Sequence, residues 1–363
     1  MKKYIRLSLI TVGLLNGIAF AGNPDRSGGA GANQTLLSPY ARPASMMGAN
    51  MASLRGVEAM HFNVGGLAYV SSTEISANRV VYLQGTDIFL NNVSLGQNLG
   101  GGNVIGISLT SMQLGDIRIR TEAQPNGDIG TFTPQVINLG FAYAKQFSNS
   151  ITAGALIRLI SEGVQDAKAT GIGFEFGVQY QTALNSKDKL KKEDFRFGIG
   201  VRNIGSDMKY SGSGLSFRSV NPNTDADRKA YYDAEQFNLP ALMHIGVSYD
   251  IRLDKKGSET YYNKLTLNGN FNYNAFSGNI TSLGAEYAYK ETFMVRGGYG
   301  FQADIFNDNF RTQYLGYAGG FGMLLPLTKD GLKLGIDYSY APTRVFNGVH
   351  TIGLRMLLGN KKD

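Results

Sequence analysis

Residues 171–180 read Gly-Ile-Gly-Phe-Glu-Phe-Gly-Val-Gln-Tyr. Ile172, Phe174, Phe176, Val178 and Tyr180 alternate with Gly173, Glu175, Gly177 and Gln179. Successive side chains of a strand point to opposite faces, so this segment carries one bulky apolar face and one face of glycine and polar groups. The pattern recurs. Phe195, Phe197, Ile199 and Val201 oppose Arg196, Gly198, Gly200 and Arg202, and Met243 to Ile251, Ile137 to Ala144 and Leu332 to Tyr340 alternate in the same way.

A soluble sandwich also alternates, so three further features decide. The alternating runs are about 9–11 residues long, the length that crosses a bilayer at a tilt. Tyr143, Phe147, Tyr180, Tyr249, Tyr289, Tyr299 and Tyr340 crowd the ends of the runs, as aromatic residues do at membrane interfaces. The polar face holds Glu175, Arg196, Arg202, Glu286, Arg296, Asp337 and Arg355 in mid-run, a placement suited to a lumen. No segment offers 18 consecutive apolar residues, which excludes a helical membrane protein.

Candidate strands fall at 75–83, 88–95, 104–112, 135–145, 151–160, 171–180, 195–203, 243–251, 264–274, 280–289, 293–300, 314–323, 332–340 and 349–358. The reading is an all-β, antiparallel transmembrane barrel of about fourteen strands, an even number as bacterial barrels require. The gaps 113–134, 204–242 and 301–313 follow odd-numbered strands and are read as outside loops. Gaps 146–150, 290–292 and 324–331 are read as inside turns. The run from Lys187 to Asp194 mixes charge signs and reads as a solvated turn.

Composition agrees. The 363 residues include 47 Gly, 20 Tyr and 20 Phe but no Cys, so disulfides, thiolate metal sites and cysteine nucleophiles are excluded. Met1 to Arg6 is a positive n-region, Leu7 to Phe20 is apolar, and Ala19-Phe20-Ala21 is a small-residue cleavage site, so residues 1–21 read as a signal peptide. Removing them takes away Lys2, Lys3 and Arg6 and no acid, and the formal charge falls from +7 to +4. The remaining basic residues are scattered, with no basic stripe beside stacked aromatics, which argues against nucleic-acid binding.

The expected organisation is a signal peptide over 1–21, a leader and plug segment over 22–70, a barrel over 71–359 and a short tail over 360–363. Gly22 to Ala32 reads as a flexible leader. Met46, Met47, Met51, Leu54 and Val57 recur near helical spacing, which predicts a short amphipathic helix from about 43 to 60 that packs into the barrel mouth.

Leu36-Leu37-Ser38-Pro39-Tyr40-Ala41-Arg42, then Met46-Met47-Gly48-Ala49, then Phe62-Asn63-Val64-Gly65-Gly66-Leu67-Ala68 resembles the start of the PorV/PorQ family, within the wider FadL-like group of fourteen-stranded outer-membrane barrels. The motif positions are Arg42, Met47, Gly48, Asn63, Gly66 and Leu67. Further matches are Val201-Arg202-Asn203-Ile204-Gly205, Leu239-Pro240, Val295 to Tyr299 and Leu334 to Tyr340, so the resemblance spans the mature chain. Leu36 to Arg42 leans towards the PorV branch. Val64 and Gly65 stand where the family has Pro-Ala, and the last strand ends Leu357-Leu358-Gly359 without a terminal aromatic.

The resemblance implies an integral outer-membrane protein of type IX secretion, a non-enzymatic adaptor for translocon or attachment-complex proteins and C-terminally signalled cargo. Tyr210, Phe217, Tyr231, Tyr232 and Phe237 in the longest outside loop form a candidate partner surface, or pack that loop over the barrel. The competing reading is a FadL-like transporter of hydrophobic small molecules, for which bound lipid in the purified protein is the discriminating observation. An enzyme finds little support. His61, His244 and His350 are isolated, no G-x-S-x-G or Walker loop is present, and Gly198-Ile199-Gly200 lacks a third glycine at 203. No cofactor is expected.

Overall fold

The computed structural model describes residue 26 and residues 28–359, except 128, 185–192, 221–226, 255–261, 303–312 and 329–330. The expected signal peptide, the first leader residues, most of the charged run 187–194 and the tail 360–363 lie outside the described residues.

Fourteen antiparallel strands close into one barrel. They are β1 Thr73–Tyr82, β2 Ile88–Gly100, β3 Asn103–Gln113, β4 Gln135–Gln146, β5 Ile151–Val164, β6 Ala167–Thr182 and β7 Phe195–Gly205. The second half continues with β8 Leu242–Arg252, β9 Asn263–Asn274, β10 Ile280–Tyr289, β11 Phe293–Gln302, β12 Tyr317–Pro326, β13 Lys333–Ala341 and β14 Val349–Leu358. Each strand pairs with its neighbours in sequence, and β1 pairs with β14 from Thr73↔Leu358 to Val81↔His350, which leaves no open sheet edge. All fourteen expected runs are strands. The largest offset is at the end of β2, which runs on to Gly100 rather than stopping at 95.

The wall is inside out relative to a soluble protein. Along β6, Ile172, Phe174, Phe176, Val178 and Tyr180 are exposed while Gly173, Glu175, Gly177 and Gln179 are buried. The outward aliphatic residues, among them Leu95, Ile107, Ile157, Val247, Val295 and Leu354, form the band a lipid core covers. Tyr143, Phe147, Tyr180, Tyr287, Tyr289 and Phe293 are exposed near one rim, and Tyr299, Phe301, Tyr317 and Tyr340 near the other. Aromatic girdles therefore mark both interfaces. No described helix is long and apolar enough to cross a membrane; the chain crosses with strands.

Strand direction separates two rims. β1 starts and β14 ends at one, the turn rim, together with the connections 101–102, 147–150 and 290–292. The connections 114–134 and 206–241 leave the other, the loop rim. Among its described residues the 206–241 connection carries two small antiparallel pairings, Met208–Lys209 with Gln236–Phe237 at its base and Ser216–Val220 with Asp227–Tyr231 further out.

The amino-terminal segment fills the lumen, but not as one helix. The expected helix over 43–60 is replaced by a four-residue helix at Ala41–Ala44, a series of turns, and 3₁₀ turns at Val57–His61 and Val64–Tyr69. Met47 (φ 51), Gly48 (φ 73) and Gly56 (φ 87) adopt left-handed backbone, which interrupts any right-handed helix through them. The methionine spacing thus belongs to a folded-back plug whose Met46, Met51 and Met60 are all buried. Val57, Met60, Val64, Leu67, Ala68 and Val70 of the plug form one core with Val104, Ala142, Ala144 and Leu156 of the wall.

Candidate functional site

The plug and wall meet closely because the inward face of the strands is small. At Gly154 an added Cβ would lie 2.7 Å from the Val64 carbonyl oxygen, and at Gly298 it would lie 2.5 Å from the Met46 Cα. Gly198 and Gly200, whose spacing only begins like a dinucleotide motif, face Asn63, Met51 and the Phe62 carbonyl. They make room for the plug.

Polar side chains then fix it. Asn63 Nδ2 donates to the carbonyls of Val178 (2.9 Å) and Ile199 (3.3 Å) on the paired strands β6 and β7, while its Oδ1 accepts from the Gly65 amide at 3.1 Å. That bond caps the 3₁₀ turn at Val64–Tyr69, so a turn forms here with Val-Gly in place of the family's Pro-Ala. Gln179 donates to the carbonyls of Met51 and Leu54, and Asn270 to that of Gly48. Gly66 presses against the Leu54 carbonyl, and Leu67 is fully buried.

The charged residues form two groups. In the first, Arg42 bonds Glu58 (3.0 Å), Glu58 pairs with Arg355 (3.6 Å), Arg355 holds Asp337 (3.0 Å), and Asp337 holds Arg296 (2.6 Å), which pairs with Glu286 at 2.5 Å. This chain of six charges ties the plug to β10, β11, β13 and β14. In the second, Glu175 is held by Arg158 at 2.7 Å and by Arg202 at 3.6 Å. Arg202 also donates to the Thr35 carbonyl at 2.9 Å. Arg196 lies apart, paired with Asp250 near the turn rim. The seven charges expected on the lumen face, Arg355 among them, face inward, but the structure does not gather them into one site.

Sequence reasoning did not single out Glu58 or Arg158 as lumen partners, and it quoted Asn203 only within a family match. Arg158 carried a signal, since it sits on the inward register between Ile157 and Leu159. Asn203 carried less. It occupies a bulge where the β6–β7 register shifts between Phe174↔Ile204 and Phe176↔Val201. Its φ of 56 is a conformation asparagine tolerates, and its amide donates to Thr35 Oγ1 (3.0 Å) and the Pro240 carbonyl (3.1 Å).

Two cavities flank the plug. One of about 230 Å³ lies towards the loop rim and is lined mainly by apolar residues, including Leu36, Leu37, Pro43, Val80, Leu242 and Ile280, with Arg202 and His244 among its polar groups. The other, of about 260 Å³, lies towards the turn rim among Arg42, Arg55, Arg196, Asp250, Lys264 and Glu286. His350 faces outwards at the loop rim, its Nδ1 bonded to the Tyr338 hydroxyl at 2.8 Å. Among the described residues no group of three or more His, Asp or Glu gathers as a metal-ligating set.

The five loop aromatics divide. Tyr210 and Phe237 pack against each other with tilted rings, centroids 5.7 Å apart, over Ala32, Ile160, Ala169, Met208 and Leu239. The Tyr210 hydroxyl donates to Glu162 at 2.9 Å, and burial together with that carboxylate pushes the phenol up to about 12. These two rings pack the connection onto the barrel. Phe217 and Tyr232 make a tilted ring contact, centroids 4.5 Å apart, on the outer hairpin, where Tyr231 and Tyr232 are 58% and 64% exposed.

Fold and site together define an integral outer-membrane barrel that holds its own amino-terminal plug in the lumen. The family model of the type IX secretion system protein PorV matches residues 24–225, more than half of the chain, and the protein belongs to that family. It is therefore an outer-membrane component of type IX secretion. Among solved structures it is similar to the toluene transporter TodX of Pseudomonas putida, with 13% identity over 88% of this chain and 97% of that one and a TM-score of 0.54. A TodX mutant described as a monoaromatic hydrocarbon channel gives 14% identity over 83% and 93% and a TM-score of 0.51. These likenesses concern the fold. No curated protein sequence matches the chain at a significant level.

Proposed function

We propose that the protein is a non-enzymatic adaptor that binds C-terminally signalled cargo, translocon or attachment-complex proteins at its loop rim. The observation that carries this reading is the plug. Residues 32–70 occupy the lumen and are anchored to strands around the wall, so the outer surface of the loop connections is left as the place to act. The exposed Phe217, Tyr231 and Tyr232 on a charged hairpin have the amphipathic composition favoured at protein interfaces. Deleting the gene is expected to leave cargo unprocessed and absent from the cell surface. Normal surface attachment in a strain without a compensating paralogue contradicts the reading.

A second reading is transport of hydrophobic small molecules, favoured by the apolar cavity above the plug and by the fold shared with TodX. It predicts lipid or fatty acid bound to the purified protein and untouched surface proteins in the deletion strain. The opposite pair of results sets it aside.

A further inference from the structure

We infer that the amino-terminal segment of the mature chain is displayed at the cell surface, although the plug it leads into fills the lumen. The course of the backbone carries the inference. The Arg26 guanidinium lies 4.2 Å over the Phe276 ring, in the β9–β10 connection of the loop rim. Ala30 forms a parallel bridge with Asn238 of the β7–β8 connection, through Gly31 N to Asn238 O at 3.0 Å and Asn238 N to Gly29 O at 3.4 Å. Gly31 lies against the Phe237 ring, which leaves no room there for a Cβ.

From that rim the chain descends. Gln34 donates to Glu162 at 2.8 Å, and Glu162 also accepts the Tyr210 hydroxyl, so one carboxylate clasps the leader and the loop together. Tyr40 then bonds Ser94 halfway down β2. Arg55 reaches Gln181 near the turn rim, where Asn98 donates to the Val70 carbonyl at 2.9 Å and β1 begins at Thr73. Leader and barrel start therefore lie at opposite rims. In an outer-membrane barrel the short turns face the periplasm, which puts the leader outside. The described residues 28–37 run as a strap along the loop rim, and Leu36 and Leu37 line the apolar cavity. The inference is independent of what the loop rim binds.

The chain has no cysteine, so single replacements report position cleanly. Full-length Arg26→Cys, Ser213→Cys (loop rim) and Asn149→Cys (turn rim) are treated on intact cells with a membrane-impermeant maleimide. Arg26→Cys and Ser213→Cys are expected to label fully, and Asn149→Cys only once the outer membrane is permeabilised. An epitope inserted between Gly28 and Gly29, read by antibody on intact cells, repeats the test without touching Arg26. Labelling of Arg26→Cys and detection of the epitope only after permeabilisation, with Ser213→Cys labelled on intact cells, overturns the inference. Protection of Ser213→Cys with labelling of Asn149→Cys on intact cells overturns it as well, by reversing the barrel.

Discussion

Gly298 of the wall lets the plug backbone approach closely, since its missing side chain leaves room for Met46. Gly298→Val is expected to cost about 1–3 kcal/mol by overpacking, read as a lower thermal unfolding midpoint in detergent. Gly297→Val, whose Cβ would meet only the Ala318 carbonyl at 3.9 Å, is the control that leaves the midpoint unchanged. Arg355 joins Glu58 of the plug to Asp337 of the wall, with 7% and 2% of the Arg355 and Asp337 side chains exposed. Removing one partner of a buried pair strands the other charge, so Arg355→Met is expected to cost about 3–5 kcal/mol in the same assay. Tyr210 titrates near 12 against an ordinary 10.0, so the protonated phenol's contribution is complete below pH 10 and is lost as the pH rises through about 12. The alkaline absorbance difference between the protein and Tyr210→Phe should show one phenol ionising near 12. Ionisation at 10 contradicts the bond to Glu162. The inward charges were legible because a strand of period two assigns every side chain a face. Their partners were not, because Glu58 meets Arg355 only after the plug has folded back into the lumen.

At the scale of elements, the fourteen strands were readable because lipid on one side and plug on the other divide the residues of each strand by size. Alternation is a local property, and β6 carries it over sixteen residues. The plug was not readable in the same way. Its methionines follow helical spacing, yet Gly48 and Gly56 lie at positive φ, and the segment gains more by pressing separate turns against the inward glycines than by continuing one helix. The β7–β8 connection shows a similar limit. Its aromatic composition was visible, but only the structure separates Tyr210 and Phe237, which pack inward, from Phe217, Tyr231 and Tyr232, which do not. Shortening the outer hairpin by removal of residues 213–232 is expected to abolish partner crosslinks while the barrel keeps its heat-modifiable migration. Unchanged crosslinking places the partner surface elsewhere on the rim.

For the molecule as a whole, a mean hydropathy of −0.15 averages an outer face made for lipid, an inner face made for a polar and glycine-lined lumen, and the plug between them. The barrel supplies a ring, the plug packs inside it, and the loop rim carries the exposed connections. The most direct test of that account places a photo-crosslinking amino acid at Tyr231, in the native outer membrane, and recovers what is attached. The account predicts type IX translocon or attachment-complex proteins, or C-terminally signalled cargo, captured from Tyr231 and absent when the same probe stands at Asn149. Capture of no protein at Tyr231, together with lipid retained in the purified barrel, contradicts it.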